Sequence, residues 1–190
     1  MAARRAALAL ALVARASAQN NIKAELWYFA NQGSYESTAV NNIEGSSSRA
    51  TRYGKYDIAA IDFYGNYRPT VDGYTYNNHF VARFTGKFRA PSSGSATFWT
   101  TSDDGSFLYI NNQLVVSNGG YHGRVQRSGS YSIVQGTVYS FEVRLFQGGG
   151  GVNIKVWWQP PGSGTMLLRG NCDCDWENII LELLAECRAW

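Results

Sequence analysis

Ala96-Thr97-Phe98-Trp99-Thr100-Thr101-Ser102-Asp103-Asp104-Gly105-Ser106-Phe107-Leu108-Tyr109-Ile110 is the stretch on which the reading of this chain turns. Its first half keeps a period of two, with Ala96-Phe98-Thr100 on one side and Thr97-Trp99-Thr101 on the other, the pattern of a half-buried β-strand. Its middle sets two adjacent carboxylates on a loop in a part of the chain that has few acids. Neighbouring side chains on an extended backbone point to opposite faces, so Asp103 and Asp104 can grip one ion only where a tight turn or a cis peptide brings them round. The same residues also fit a plainer role, because Asp-Gly is a good two-residue hairpin turn and Asp104-Gly105 could serve only to reverse the chain.

Working outward, the alternation continues. Phe80-Ala82-Phe84 stand opposite Val81-Arg83-Thr85, and Tyr139-Phe141-Val143-Leu145 opposite Val138-Ser140-Glu142-Arg144. Val152-Ile154-Val156-Trp158 alternate with Asn153-Lys155-Trp157, and Pro160-Pro161-Gly162 ends that run because proline cannot extend a ladder. With 20 glycines and abundant aromatics, short alternating runs punctuated by turns predict an all-β domain, an antiparallel β-sandwich or barrel. Before residue 80 the pattern is looser. Ile22 to Phe29 reads as an opening strand, Asn41 to Arg52 as a loop rich in Ser, Asn and Gly, and Asp57 to Tyr67 as a strand with an irregular edge.

The two ends differ in kind from this body. Arg4 and Arg5 precede an apolar run from Ala6 to Ala14, and Ala16-Ser17-Ala18 supplies a small-x-small site, so residues 1–18 read as a secretory signal peptide. Of 17 Lys and Arg, three (Arg4, Arg5, Arg15) lie in that leader, which leaves 14 bases against 14 acids. The mature chain is therefore neutral, without the basic footprint of a nucleic-acid binder, and no later run is long and apolar enough for a transmembrane helix. Residues 19–170 are expected to form one domain. Residues 171–190 carry five acids and one base, with Trp176, Ile179, Ile180, Leu183, Leu184 and Cys187 at helical spacing, and read as a short acidic amphipathic helix. All three cysteines, Cys172, Cys174 and Cys187, lie there, so export favours a disulfide within the tail or to a partner chain, and the core must stand on packing.

The order Phe84-Thr85-Gly86-Lys87-Phe88-Arg89-Ala90-Pro91-Ser92-Ser93-Gly94, then Ala96 to Ile110, then Gln113-Leu114-Val115-Val116, is similar to the signature of a family named after the N-terminal fragment of a toxin protective antigen, the PA-fourteen domain. His122, the strand from Gly136 to Phe146, the Gly148-to-Gly151 loop and Val156-Trp157-Trp158-Gln159-Pro160-Pro161-Gly162 keep the family's order downstream. The resemblance spans roughly residues 22 to 165 and implies a β-sandwich found in adhesins, in toxins and as an accessory module of glycoside hydrolases. In the sugar-binding branch, adjacent aspartates hold a calcium ion that grips sugar hydroxyls; here they are Asp103 and Asp104. The resemblance places the second ligand loop at Gln147 to Asn153, with Gln147 where the adhesins tend to have Asn, so that Gln147, Asn153 or only backbone carbonyls complete the shell. Around this centre Tyr121, His122, Asn153 and Trp99 are the candidate ligand-binding residues. Trp157 and Trp158 are as eligible as Trp99, and at least one of the three is expected in the core; Gly148 to Gly151 also fit a mere hairpin tip, and His122 a hydrogen-bonding loop residue.

Catalysis finds little support. A glycosidase needs two carboxylates across a cleft, about 5–9.5 Å apart, one of them protonated. Adjacent ion ligands would both stay ionised. No Gly-x-Ser-x-Gly elbow, phosphate loop or dinucleotide fingerprint occurs. Two function classes follow: a secreted calcium-dependent carbohydrate-binding module whose partner is a glycan or glycoprotein, or a structural module of an extracellular or surface assembly. No Ser/Thr-rich stalk or C-terminal apolar anchor is seen, so a soluble lectin or a fragment of a longer protein is the expected form.

Overall fold

Alternation becomes strand wherever it was read. In the computed structural model, which describes residues 22–29, 50–63, 70–71, 74–75 and 77–170, the long strands are β1 (Ile22–Phe29), β2 (Ala50–Ile58), β6 (Phe80–Arg89), β7 (Gly94–Asp103), β8 (Ser106–Ile110), β9 (Gln113–Asn118), β10 (Val125–Ile133), β11 (Val138–Gln147) and β12 (Asn153–Gln159). Short pieces are β3 (Asp62–Phe63), β4 (Thr70–Val71), β5 (Tyr74–Thr75) and β13 (Met166–Leu167). The leader (1–18) and the acidic tail (171–190), with its three cysteines and its expected helix, lie outside the described residues.

Two antiparallel sheets form the body. One has six strands in the order β2-β1-β6-β11-β8-β9; the other runs β10-β7-β12-β13, with β3 also on β12. Their facing sides supply one continuous core: Leu26 from β1, Phe84 and Phe88 from β6, Leu108 from β8 and Leu145 from β11 meet Phe98 from β7 and Ile154, Val156 and Trp158 from β12. Phe88 sits 4.8 Å from Trp158 and 5.5 Å from Tyr139 between ring centroids, bridging the layers with tilted and stacked contacts. This is the all-β sandwich expected from the periodicity, since a period of two gives each sheet one side for the shared interior.

The outer sides of the two sheets are unlike. On the six-stranded sheet Trp27, Val81, Phe107 and Phe146 form a second buried apolar cluster at one end, and the side chains that follow them on that side are charged, with Glu25 paired to Arg83 and Glu142 to Arg144. On the five-stranded sheet the outward residues of β7 and β12 are only partly buried, and both strands alternate strictly. One seam between the layers is tight. A Cβ on Gly129 of β10 would lie 1.8 Å from the Val115 carbonyl oxygen of β9, so only glycine lets these strands approach.

Three differences from the sequence reading stand out. β2 begins at Ala50, inside the stretch read as a loop, and of the strand read over Asp57 to Tyr67 the described part, up to Phe63, consists of the end of β2, an Ala60–Arg169 bridge and β3. β10 (VQRSGSYSI) was not read at all: it is an edge strand whose side chains are mostly exposed, so tertiary pairing with β7 rather than apolar patterning makes it a strand. Finally, Asp104-Gly105 is not a hairpin turn, because β7 and β8 belong to different sheets. The two-residue hairpin lies one connection later, at Asn111-Asn112, where both residues take positive φ (47° and 65°) between Ile110 and Gln113.

Candidate functional site

Three connections cross from one sheet to the other at the same end of the sandwich. Asp104-Gly105 leads from β7 to β8, Gly119 to Arg124 from β9 to β10, and Gly148 to Val152 from β11 to β12. Asp104 ties all three together. Its Oδ1 accepts a hydrogen bond from the His122 backbone N–H (3.0 Å), and its Oδ2 accepts one from the Gly148 backbone N–H (2.9 Å). Its own backbone N–H donates to Gln147 Oε1 (3.0 Å). The side chain is 6% exposed, and bonds from N–H groups to an ionised carboxylate are the strong kind.

The Asp103–Asp104 peptide bond is cis, one of the two geometries that let adjacent aspartates serve one place. Asp103 ends β7 opposite Asn153 of β12 and is only partly buried. Both carboxylates border the glycine loop: a Cβ on Gly151 would stand 3.0 Å from Asp103 Oδ2, and one on Gly148 would stand 3.5 Å from Asp104 Oδ2 and 2.7 Å from the Tyr121 ring. Gly148 and Gly151 thus keep this space open. Burial pushes the Asp103 carboxyl above its ordinary value, the Asp104 charge pushes it the same way, and His122 opposes them.

The floor beneath is polar and fully paired. Asn118 Nδ2 donates to Ser102 Oγ and to the Val125 carbonyl (both 3.0 Å), Ser102 Oγ lies 2.8 Å from Ser106 Oγ, and Ser106 Oγ donates to Thr100 Oγ1 (3.0 Å). These four residues are buried at inward positions where the alternation calls for apolar side chains. Gly105 completes the fit, because a Cβ there would fall 2.3 Å from the Phe146 ring and 3.0 Å from the Asn118 carbonyl oxygen.

The residues singled out from sequence divide into two groups. Asp103, Asp104, Gln147, Tyr121, His122 and Asn153 come together at the crossover loops; Trp99 does not, lying four residues back along β7, about 13 Å at the rise of a strand. Tyr121 is 58% exposed, and its ring stands edge-on to Phe146 at 5.4 Å. His122 keeps its ring within its own loop, with Nδ1 2.7 Å from the Gly123 carbonyl oxygen and Nε2 3.3 Å from that of Asn118; its backbone N–H is what reaches Asp104. Gln147 is completely buried with its Oε1 engaged by Asp104 N–H, and its Nε2 has no partner. Sequence reasoning missed Ser102, Ser106 and Thr100, and placed Asn118 only as the start of the loop to His122. Their signal was present in the run of hydroxyl side chains on the inward side of a strand that leads to acids.

Among the described residues no group of three or more His, Cys, Asp or Glu side chains is placed to hold a metal. An ion at this end would meet two carboxylates and otherwise amide or carbonyl oxygens, a hard, all-oxygen donor set. No helix among the described residues is long and apolar enough to cross a membrane.

No curated protein sequence matches the chain. Among solved structures it is similar to an anti-sigma factor domain-containing protein (TM-score 0.63, 15% identity), covering 79% of this chain and 46% of that one. A likeness of the same order holds with a related protein from Clostridium clariflavum (0.63, 16%), of which it again spans 46%. It is also similar to a PA14 sugar-binding domain from an RTX adhesin (0.62, 16%; 80% of this chain and 96% of that one). The A domain of epithelial adhesin 9 from Candida glabrata, solved with Galβ1-3GlcNAc, shares the fold as well (0.58, 11%; 80% and 91%). At such identities the likeness is one of fold. The PA14 domain model matches residues 25–167, the span that holds both sheets and all three crossover loops, and the chain belongs to the PA14 domain family.

Proposed function

We propose that this chain is a secreted, non-catalytic carbohydrate-binding module that holds a calcium ion at Asp103 and Asp104 and binds glycan hydroxyls through it. The convergence of three crossover loops on Asp104, with both carboxylates beside glycines that leave room, carries the reading. Calcium takes about six to eight oxygen ligands in flexible geometry, so two carboxylates, carbonyls of the Gly148 to Gly151 loop and the Asn153 amide are donors it suits. Gln147 supports the site from below in this reading, because its oxygen holds the Asp104 amide. Tyr121 offers an exposed aromatic face for the apolar side of a sugar ring. The solved relatives include a sugar-binding domain and an adhesin domain in complex with Galβ1-3GlcNAc, which supports a glycan as partner.

A glycan array probed once with millimolar calcium and once with a chelator tests the reading. Binding seen only with calcium, and lost in Asp103→Asn with Asp104→Asn while the fold persists, is the expected result. Folded protein that binds no glycan in either condition would overturn it and leave a structural module whose ion only stiffens the loops.

A further inference from the structure

The outward face of the five-stranded sheet carries two tryptophans that the ion site does not use. Trp99 of β7 and Trp157 of β12 are direct cross-strand partners, with ring centroids 6.3 Å apart at 78°. Both are partly buried and lie on the outer side of strands whose inner side chains fill the core. Leu167 of β13 is the cross-strand partner of Trp157, and the remaining neighbours are polar. Lys155 Nζ lies 5.3 Å from the Trp157 ring centroid and 3.5 Å from Asp62 Oδ2, and Thr101 Oγ1 lies 3.5 Å from Gln126 Oε1.

The alternation of β7 and β12 makes this patch continuous with the carboxylate end. Trp99, Thr101 and Asp103 follow one another on the outer side of β7, and Trp157, Lys155 and Asn153 on that of β12. The stripe runs about 13 Å from Trp99 to Asp103. We infer that it is a second sugar subsite: a glycan whose terminal unit sits at the Asp103–Asp104 end lays its following units along β7 and β12 onto the Trp99–Trp157 pair. The inference rests on the carbohydrate reading above and makes its partner an oligosaccharide chain rather than a single terminal sugar.

The chemistry of the patch selects that occupant. A pyranose ring offers a C–H face to an aromatic surface and hydroxyls at its rim, and here two rings are bordered by a hydroxyl, an amide and an ion pair. A protein partner needs roughly 800 Å² on each side with an apolar centre, and two indoles with one leucine among polar groups do not supply one. The Trp157 Nε1–H is shielded from solvent and has no acceptor. An indole N–H so placed is normally bonded, so a ligand hydroxyl that drew the ring outward would satisfy it.

The test uses the full chain in calcium on an array where each terminal sugar unit is printed both as a mono- or disaccharide and as a tetra- to hexasaccharide ending in that unit. The long member should bind about tenfold more tightly than the short one, the order of one lost or gained aromatic contact. Trp99→Ala with Trp157→Ala should bring the long member down to the short one and leave the short one unchanged. Ser128→Arg, at an exposed position directly opposite Trp99 on β10, blocks the patch without removing a packed side chain and should do the same. Equal affinity for long and short glycans, or a length preference that survives these variants in folded protein, overturns the inference. Asp103→Asn with Asp104→Asn separates the two readings: it should abolish binding of both lengths, whereas long-glycan binding that persists there but falls in the tryptophan variants removes the ion reading and leaves the platform standing alone. Wild-type protein that binds no glycan overturns both.

Discussion

The two sheets share one core yet treat their outer sides differently. Val81 and Phe146 on the outer side of the six-stranded sheet are as buried as anything inside, while Trp99, Lys155 and Trp157 on the outer side of the five-stranded sheet are only partly buried. An apolar cluster fully covered on its outer side is committed to packing, and a face whose aromatics stay partly uncovered has side chains to spare for recognition. Asp103 belongs to the open sheet and Asp104 to the crossing between them. The site thus sits where a rigid layer is tied to an accessible one.

That contrast can be broken by substitution. Phe146→Ala removes a fully buried ring packed on Phe107 and Tyr121 and should cost about 3–5 kcal/mol by denaturant unfolding; a loss under about 1 kcal/mol would show the second cluster to be mere covering. Gly105→Ala forces a methyl group into Phe146 and the Asn118 carbonyl and should cost about 1–3 kcal/mol, with weakened calcium binding by calorimetry because Asp104 is displaced.

The two aspartates should then part company. In calcium-free protein Asp104→Asn gives up a charged acceptor for two backbone N–H groups and should cost about 1.5–3 kcal/mol, while Asp103→Asn should be neutral or stabilising, since burial and Asp104 already disfavour its charge. The sign follows from linkage. The folded pKa of Asp103 lies above the ordinary 3.8, so between the two values the folded state holds a proton that the unfolded state has lost, and calcium-free stability rises as pH falls through that window. Calcium binding should weaken over the same range, because protons compete with the ion. Thermal melts against pH, with calcium and with chelator, should slope in opposite directions; parallel slopes would detach Asp103 from the ion. The smallest effect is expected at Lys155→Ala, whose partly exposed pair with Asp62 should be worth about 0.5 kcal/mol or less in the same melts.

Much of the site was legible because its signals are local. Asp103-Asp104 stood out as paired acids among alternating strands, and Gly148 to Gly151 as a run that needs no side chains. Asn118 and Gln147 were not legible in their actual roles, since nothing in a single amide reveals which partner it will meet: Asn118 donates to the Ser102 hydroxyl and the Val125 carbonyl, and Gln147 accepts from the Asp104 N–H across 43 positions. Trp99 was named with the residues around the carboxylates, yet it lies about 13 Å back along β7, because chain order does not give the distance between the ends of a strand.

The sequence by itself determined the strictly alternating strands, the all-β class and the pair of acids, because a period of two and a rare pairing of residue types are written in neighbouring positions. Only the tertiary structure decided that β10 is a strand, that Asp104-Gly105 crosses between sheets, and that the loops after β7, β9 and β11 meet at one carboxylate. Those outcomes depend on which strands pair across long separations, and register and sheet order are chosen by the whole core at once.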